Sequence, residues 1–276
     1  MNRLTTNQPR RQHTDRATDK RTRVPRALLS FAGRRALGEF AAGNLLLAFD
    51  YDGTLADITE HPGHAIMLPH TRELLATVAR HWPALVLTGR SRADVMRLIG
   101  TVDGLEVVGN HGIETGRAAD PAPDADELVA TWKTRLAEEL APLGGIEIED
   151  KRHSLAVHYR RATDAVQAER SVRQAASRLP GARLVGGKRV LNVVPQLAPN
   201  KGAALLAEME RIGAPRALFV GDDVTDEDVF ALDCPERVLT VRVGCEADSR
   251  ATYCLRRRDE VDTLLARLCA LRAAAD

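Results

Sequence analysis

Short apolar runs recur along the chain, each closed by small or acidic residues and each alternating with a stretch whose apolar positions fall three and four apart. "NLLLAF" (44–49) is followed by Asp50, "PALVL" (83–87) by Thr88, "LEVV" (105–108) by Gly109, "RALFV" (216–220) by Gly221, and "RVLTVRV" (237–243) by Gly244. Between and after them, "HTRELLATVARHW" (70–82), "SRADVMRLIG" (91–100), "NKGAALLAEMERIG" (200–213) and "RDEVDTLLARLCALRAA" (258–274) carry helical spacing. Ser91, with Asp94 three residues on, predicts a capped helix start, and Asn200 predicts another. Strands that alternate with helices and show no hairpin signal predict parallel βαβ units, an α/β core.

The middle of the chain changes pattern. "AADPAPDAD" (118–126) is Pro/Asp-rich and reads as a connection, followed by a helix over 127–140. Strand candidates "GIEIED" (145–150), the alternating "SLAVHYR" (154–160), "ARLVG" (182–186) and "RVLNVVP" (189–195) surround a helix over 163–179. This predicts an α+β module inserted into the core. The expected division is a core of residues 29–114 and 199–276, the insertion at 115–198, and a separate segment at 1–28.

Composition bounds the rest. The 276 residues are 44% hydrophobic and 28% charged with a formal net charge of +1, a globular balance with no overall field for nucleic acid or anionic membranes. Residues 1–28 depart from it, with eight Lys/Arg against two acids and no apolar periodicity, and read as a solvated disordered tail. No segment has the apolar length of a bilayer span. The four cysteines (Cys234, Cys245, Cys254, Cys269) show no zinc or C-x-x-C spacing and are expected to be reduced thiols in a cytoplasmic protein. No nucleic-acid or membrane partner is expected, and the sequence carries no sign of oligomeric state.

In an open parallel sheet, ligands bind beyond the carboxyl ends of the strands. The residues to examine are therefore Asp50 and Asp52, Thr88 to Arg90, Asn110 and His111, and Asp222 and Asp223. "DYDGTL" (50–55) alone could be an Asx-type turn. It is not a calcium loop, because Leu55 stands where the turning glycine is needed and His61 where the bidentate glutamate is needed. In "GDDVTDEDVF" (221–230), Asp226, Glu227 and Asp228 read as charges offsetting a helix start. Asp222 and Asp223 sit at the strand exit, and with Asp50 and Asp52 they would make an oxygen-rich site suited to magnesium and a phosphate oxygen. Thr88 and neighbouring N–H groups could hold phosphate oxygens. Lys201, at a helix start, reads either as a solvated side chain or as a fixed charge.

Taken together, "DYDGTL", "TGR" and a lysine ahead of "GDD" resemble the haloacid dehalogenase-like phosphatase superfamily. "GNHGIE", "KRHSLAVHYRRA", "NKGAAL" and "GDDVTDED" are similar to its trehalose-6-phosphate phosphatase branch. The resemblance runs from about residue 44 to the last helix. It implies a Rossmann-like parallel core with helices on both faces and an α+β cap that sets substrate specificity. It further implies Mg²⁺-dependent hydrolysis of trehalose 6-phosphate in trehalose biosynthesis. Asp50 would be the nucleophile and Asp52 the acid and then the base. Mg²⁺ would sit on Asp50, the Asp52 carbonyl and Asp222, with Asp223 in support, and Thr88, Gly89 and Lys201 would bind the phosphoryl group. His111, Glu114, Lys151 and His158 would line the cleft, although His158 taken alone reads as a cap-strand residue with an exposed polar face, and Tyr159 and Arg160 read equally as structural. The family pattern Glu-x-(Arg/Lys)-Pro is "NVVP" (192–195) here, which places Asn192 at the sugar and Val194 where a base is usual. That departure keeps open another sugar phosphate or a glycosyl-glycerate phosphate as substrate. A sugar-phosphate sensor without catalysis is the remaining alternative.

Overall fold

The computed structural model describes residues 24–59, 62–117 and 123–273. The chain runs β1 (Arg26–Ala27), α1 (Phe31–Ala41), β2 (Leu45–Phe49), α2 (Pro69–Ala79), β3 (Ala84–Leu87), α3 (Arg92–Ile99) and β4 (Leu105–Val108). Then come α4 (Pro123–Leu140), β5 (Glu147–Asp150), β6 (Leu155–His158), α5 (Ala165–Ala176), β7 (Ala182–Gly187) and β8 (Val190–Pro195). The chain returns with α6 (Lys201–Ile212), β9 (Arg216–Gly221), α7 (Glu227–Phe230), β10 (Val238–Val243), β11 (Tyr253–Leu255) and α8 (Asp259–Ala273).

Seven strands form one parallel sheet in the order β1-β11-β10-β9-β2-β3-β4. Its central strands read as unbroken apolar runs because both faces are covered. Along β2, Leu45, Leu47 and Phe49 join a cluster with Leu37, Leu75, Val95 and Leu264, from α1, α2, α3 and α8. Leu46 and Ala48 face the other way, into a cluster with Leu205, Met209 and Phe230 from α6 and α7. The period-two side-chain alternation of a strand thus distributes one hydrophobic run over two layers. The predicted caps form, with Ser91 Oγ accepting from Asp94 N and Asn200 Oδ1 from Ala203 N.

The segment 123–195 folds around its own core. β5-β6-β8-β7 is a four-stranded antiparallel sheet, and Trp132, Leu136, Val172 and Ala176 pack on it from α4 and α5. This matches the α+β insertion read from the pattern.

Two sequence expectations change. The expected tail lies outside the described residues up to residue 23, but β1 pairs with β11 and Leu28 is buried, so residues 26–28 belong to the core sheet. A two-residue edge strand leaves too little pattern to read. Cys245 and Cys254, expected as free thiols, are joined by a disulfide with Cα atoms 5.4 Å apart, while Cys234 and Cys269 are free. The parallel pairing of β10 with β11 brings the two together across a return of nine residues. No helix among the described residues is long and apolar enough to cross a membrane.

Candidate active site

β2 and β9 are neighbours at the centre of the sheet, and both leave it at the same edge. Asp50 follows β2 directly, its N–H donating to Val220 O at 2.8 Å. The chain then turns tightly, the Leu55 and Ala56 N–H groups both donating to Tyr51 O at 2.9 Å. Gly53 has a φ of 77°, and a Cβ there would lie 2.2 Å from Asp222 Oδ2. The glycine after the second aspartate is therefore required both by the turn and by the carboxylate packed against it. The acidic tips of β2 and β9 converge.

Lys201, the first residue of α6, ties them together. Its ammonium donates to Asp50 Oδ1 at 2.9 Å and to Asp226 Oδ1 at 2.7 Å, and it is 1% exposed. Asp226, fully buried, accepts at Oδ2 from the N–H groups of Asp222 (2.8 Å) and Asp223 (2.9 Å). Read in the sequence as a helix-start charge, Asp226 does close a capping box with Asp223 and in addition holds one side of the lysine. Its position in an acidic run that already accounted for it as a cap hid this role.

Burial pushes the Asp50 carboxyl well above the usual carboxylate range, and the charges of Asp226, Asp222 and Asp52 add to the rise that Lys201 opposes. Asp222 is pushed to about 6, first by burial and then by Asp226. Burial also disfavours the charged Lys201, but Asp226 and Asp50 outweigh it and raise its pKa. A cation between these carboxylates would relieve the repulsion, and the donors fit one. Oxygens of Asp50, Asp222 and Asp226 lie within 4.8 Å of one another, and Asp222 Oδ1 is buried without a hydrogen-bond partner. Its other oxygen faces Lys188 Nζ at 3.2 Å. An all-oxygen carboxylate set matches Mg²⁺. This group contains neither Asp52 nor Asp223, whose side chain caps the turn at 223–226.

Beside it, Thr88 and Gly89 leave β3. His111 packs on Gly89 so closely that a Cβ there would sit 2.5 Å from its Cε1. Asn110 and His111 both hold left-handed φ values, 52° and 59°. His111 is buried, and burial together with Lys151, Lys201 and Arg183 pushes its pKa well below 6.5, against a smaller opposing effect of the Asn192 side chain.

The inserted module closes the cleft from above. Lys151 Nζ donates to Gly89 O at 3.0 Å and to Asn192 Oδ1 at 3.4 Å, and Asn110 Nδ2 donates to Lys151 O at 3.2 Å. Burial is the main cause lowering the Lys151 pKa. His158 Nε2 meets Glu149 Oε2 at 2.8 Å. One cleft is lined by Asp50, Asp52, Thr88, Gly89, His111, Lys151, His158, Asn192, Lys201, Asp222 and Asp223. Glu114 is the exception among the expected residues. Its carboxylate accepts from Arg92 N (2.5 Å) and Asn110 Nδ2 (3.1 Å), holding the start of α3 and the loop after β4 instead of facing the cleft. Arg90 and Arg160, both singled out in the sequence, also line it, and the structure adds Glu149 and Lys188. Glu149 was legible from strand alternation, since it shares a face of β5 with the position of Lys151, two residues on.

A parallel core whose strand-end aspartates meet at a lysine, with an α+β module inserted in it, is a haloacid dehalogenase-like fold. The sequence profile of the Trehalose-phosphatase family matches residues 48–257, and the chain belongs to that family. The trehalose-phosphate phosphatase of Mycobacterium bovis (strain BCG / Pasteur 1173P2) is 34% identical over 219 residues, covering 75% of this chain and 56% of that protein. That of Mycobacterium avium (strain 104) is 34% identical over 232 residues, covering 79% and 59%. The chain thus spans little more than half the length of these relatives. The C. albicans trehalose-6-phosphate phosphatase C-terminal domain superposes with a TM-score of 0.73 at 22% identity, covering 90% of this chain and 98% of that one. Aspergillus fumigatus trehalose-6-phosphate phosphatase gives 0.62 at 25% identity, covering 89% and 99%.

Proposed function

We propose that this chain is a Mg²⁺-dependent phosphatase that hydrolyses trehalose 6-phosphate to trehalose and phosphate. One observation carries the reading: Asp50 and Asp226 share the buried Lys201 ammonium while Asp222 stands beside them, at the edge of the cleft where Thr88 and Gly89 end their strand. Asp50 attacks phosphorus in line, the bond to the sugar oxygen breaks, and Asp52 gives that oxygen its proton. Water then cleaves the aspartyl-phosphate, its proton passing to Asp52. Lys201 holds the Asp50 carboxylate in orientation, and Thr88 and Gly89 bind phosphoryl oxygens. Asp50 and Asp222, with Asp226 close by, would hold Mg²⁺, which would supply Lewis-acid charge to the phosphoryl oxygens. The Asp52 carbonyl and Asp223 complete the expected ligand set.

In the cap, Lys151, His158, Glu149 and Asn192 would meet sugar hydroxyls, and residues 115–198 form the specificity domain. The enzyme would work in the cytoplasm. Phosphate release from a panel of sugar phosphates, with Mg²⁺ and with a chelator, tests the assignment. Preference for trehalose 6-phosphate and loss of turnover with chelator are expected, and equal or better turnover of another sugar phosphate would remove the substrate. The second reading, another sugar phosphate or a glycosyl-glycerate phosphate, draws on Asn192 and Val194, which put an amide beside Lys151 and a buried aliphatic two residues on. The full catalytic set weighs against a sensor that only binds.

A further inference from the structure

Arg90 closes the turn after β3, and its guanidinium is committed on every side. Nε donates to Asp52 Oδ2 at 2.6 Å, Nη2 to Asp52 Oδ1 at 2.7 Å, and Nη1 to Asp94 Oδ2 at 2.8 Å. Its backbone N–H donates to Thr88 Oγ1 at 3.2 Å. The guanidinium carbon lies 5.7 Å from the centroid of the Tyr51 ring, whose hydroxyl is fixed on Ala65 O at 2.8 Å. Asp94 sits in the first turn of α3, where its own N–H is capped by Ser91. The Arg90 side chain is only 12% exposed, whereas Asp52 is 35% exposed and faces the cleft.

A carboxylate on a single-turn loop has two free torsions, and a proton-transfer group must sit within hydrogen-bond reach of the reacting oxygen. A two-pronged arginine contact fixes the plane of the carboxylate as well as its place, which a single ammonium does not do. Each Asp52 oxygen keeps a second lone pair, turned away from the fork.

We propose that Arg90 is the positioning residue of the proton-transfer step. It sets the rotamer and plane of Asp52 so that one oxygen meets the leaving sugar oxygen and, in the second half-reaction, the attacking water. Arg90 itself exchanges no proton. The inference rests on the reading of Asp52 as acid and base.

The test compares kcat/KM for trehalose 6-phosphate and for p-nitrophenyl phosphate in the full chain, because nitrophenolate departs without a proton and a sugar alkoxide does not. R90K and R90Q should each lower the ratio of the two values by about 100-fold, the low end of what general acid catalysis contributes. D52N should lower the ratio at least as far, and D94N should shift it in the same direction by roughly threefold. Equal loss on both substrates in R90K and R90Q would mark Arg90 as merely structural and overturn the inference. Full recovery in R90K would also overturn it, since charge without fork geometry would then suffice. If D52N splits the substrates and neither Arg90 variant does, the positioning role alone falls. If D52N leaves the ratio untouched, the acid–base reading falls with it. Should R90Q fail to fold, R90K carries the measurement.

Discussion

Two lysines in this molecule hold aspartates at similar distances and with unlike consequences. Lys201 lies 2.9 Å from Asp50 and 2.7 Å from Asp226, with all three side chains almost wholly out of water. Lys133 lies 3.0 Å from Asp150 on the inserted module, with the two side chains 48% and 38% exposed. In the first case each charge depends on the others, because burial has removed the water that would stabilise it alone. In the second, water competes with the contact throughout and side-chain entropy opposes it. The core has thus concentrated interdependent charge at one strand edge, while the cap keeps its charges replaceable. On the proposed function, the chemistry would sit in the region that tolerates least change and substrate choice in the region that tolerates more.

The largest expected effect is Asp50→Asn, which on the proposed function removes the attacking oxygen and should lower turnover of trehalose 6-phosphate by roughly 10⁴-fold or more, read as phosphate release. Lys201→Met should follow, leaving Asp50 and Asp226 buried without their cation. A loss of about 3–5 kcal/mol of unfolding free energy in a denaturant titration is expected. Asn192→Glu works in the opposite direction. Asn192 Oδ1 lies 3.4 Å from the Lys151 ammonium, so a glutamate there would bring a charged acceptor to that part of the cleft. It should raise kcat/KM for trehalose 6-phosphate about tenfold, and no gain would show the amide to be neutral or compensated.

His111 gives a pH signature. Its pKa is held below 6.5 in the folded chain, so below that pH the unfolded chain takes up a proton that the native one refuses. Stability therefore falls as the solution is acidified, by up to about 1.4 kcal/mol per pH unit for this one group. His111→Asn, a residue that tolerates the left-handed backbone, should flatten the melting temperature between pH 6.5 and 5 by that share. Lys133→Met is the small end of the comparison, expected to shift stability by no more than about 1 kcal/mol. A shift as large as that of Lys201→Met would break the contrast between the two regions.

How much could be read in advance varies by element. β2, β3 and β9 were legible because burial on both faces leaves apolar runs of strand length, and the small or polar residue after each run marks the sheet edge. β1 and β11 were not, since two and three residues carry no period. Asp50 and Asp222 stood out at strand ends. Asp226 did not, because an acid in the first turn of a helix is ordinary in sequence. In the fold it turns inward, where a Cβ on Gly221 would lie 2.3 Å from its carboxylate. Glu114 sits in the motif that marks the site, yet its carboxylate is consumed by the backbone of α3.

The sequence by itself determined the α/β core, the inserted α+β module, the strand ends that would carry the acids and the family resemblance. These are properties of periodicity and spacing, which local burial and backbone geometry impose on the order of residues. Tertiary structure decided which acid partners which cation: Lys201 between Asp50 and Asp226, Lys188 against Asp222, Arg90 on Asp52, and Cys245 joined to Cys254. Those pairings depend on which strand ends and turns the sheet brings together, and that is not written in the spacing of residues along the chain.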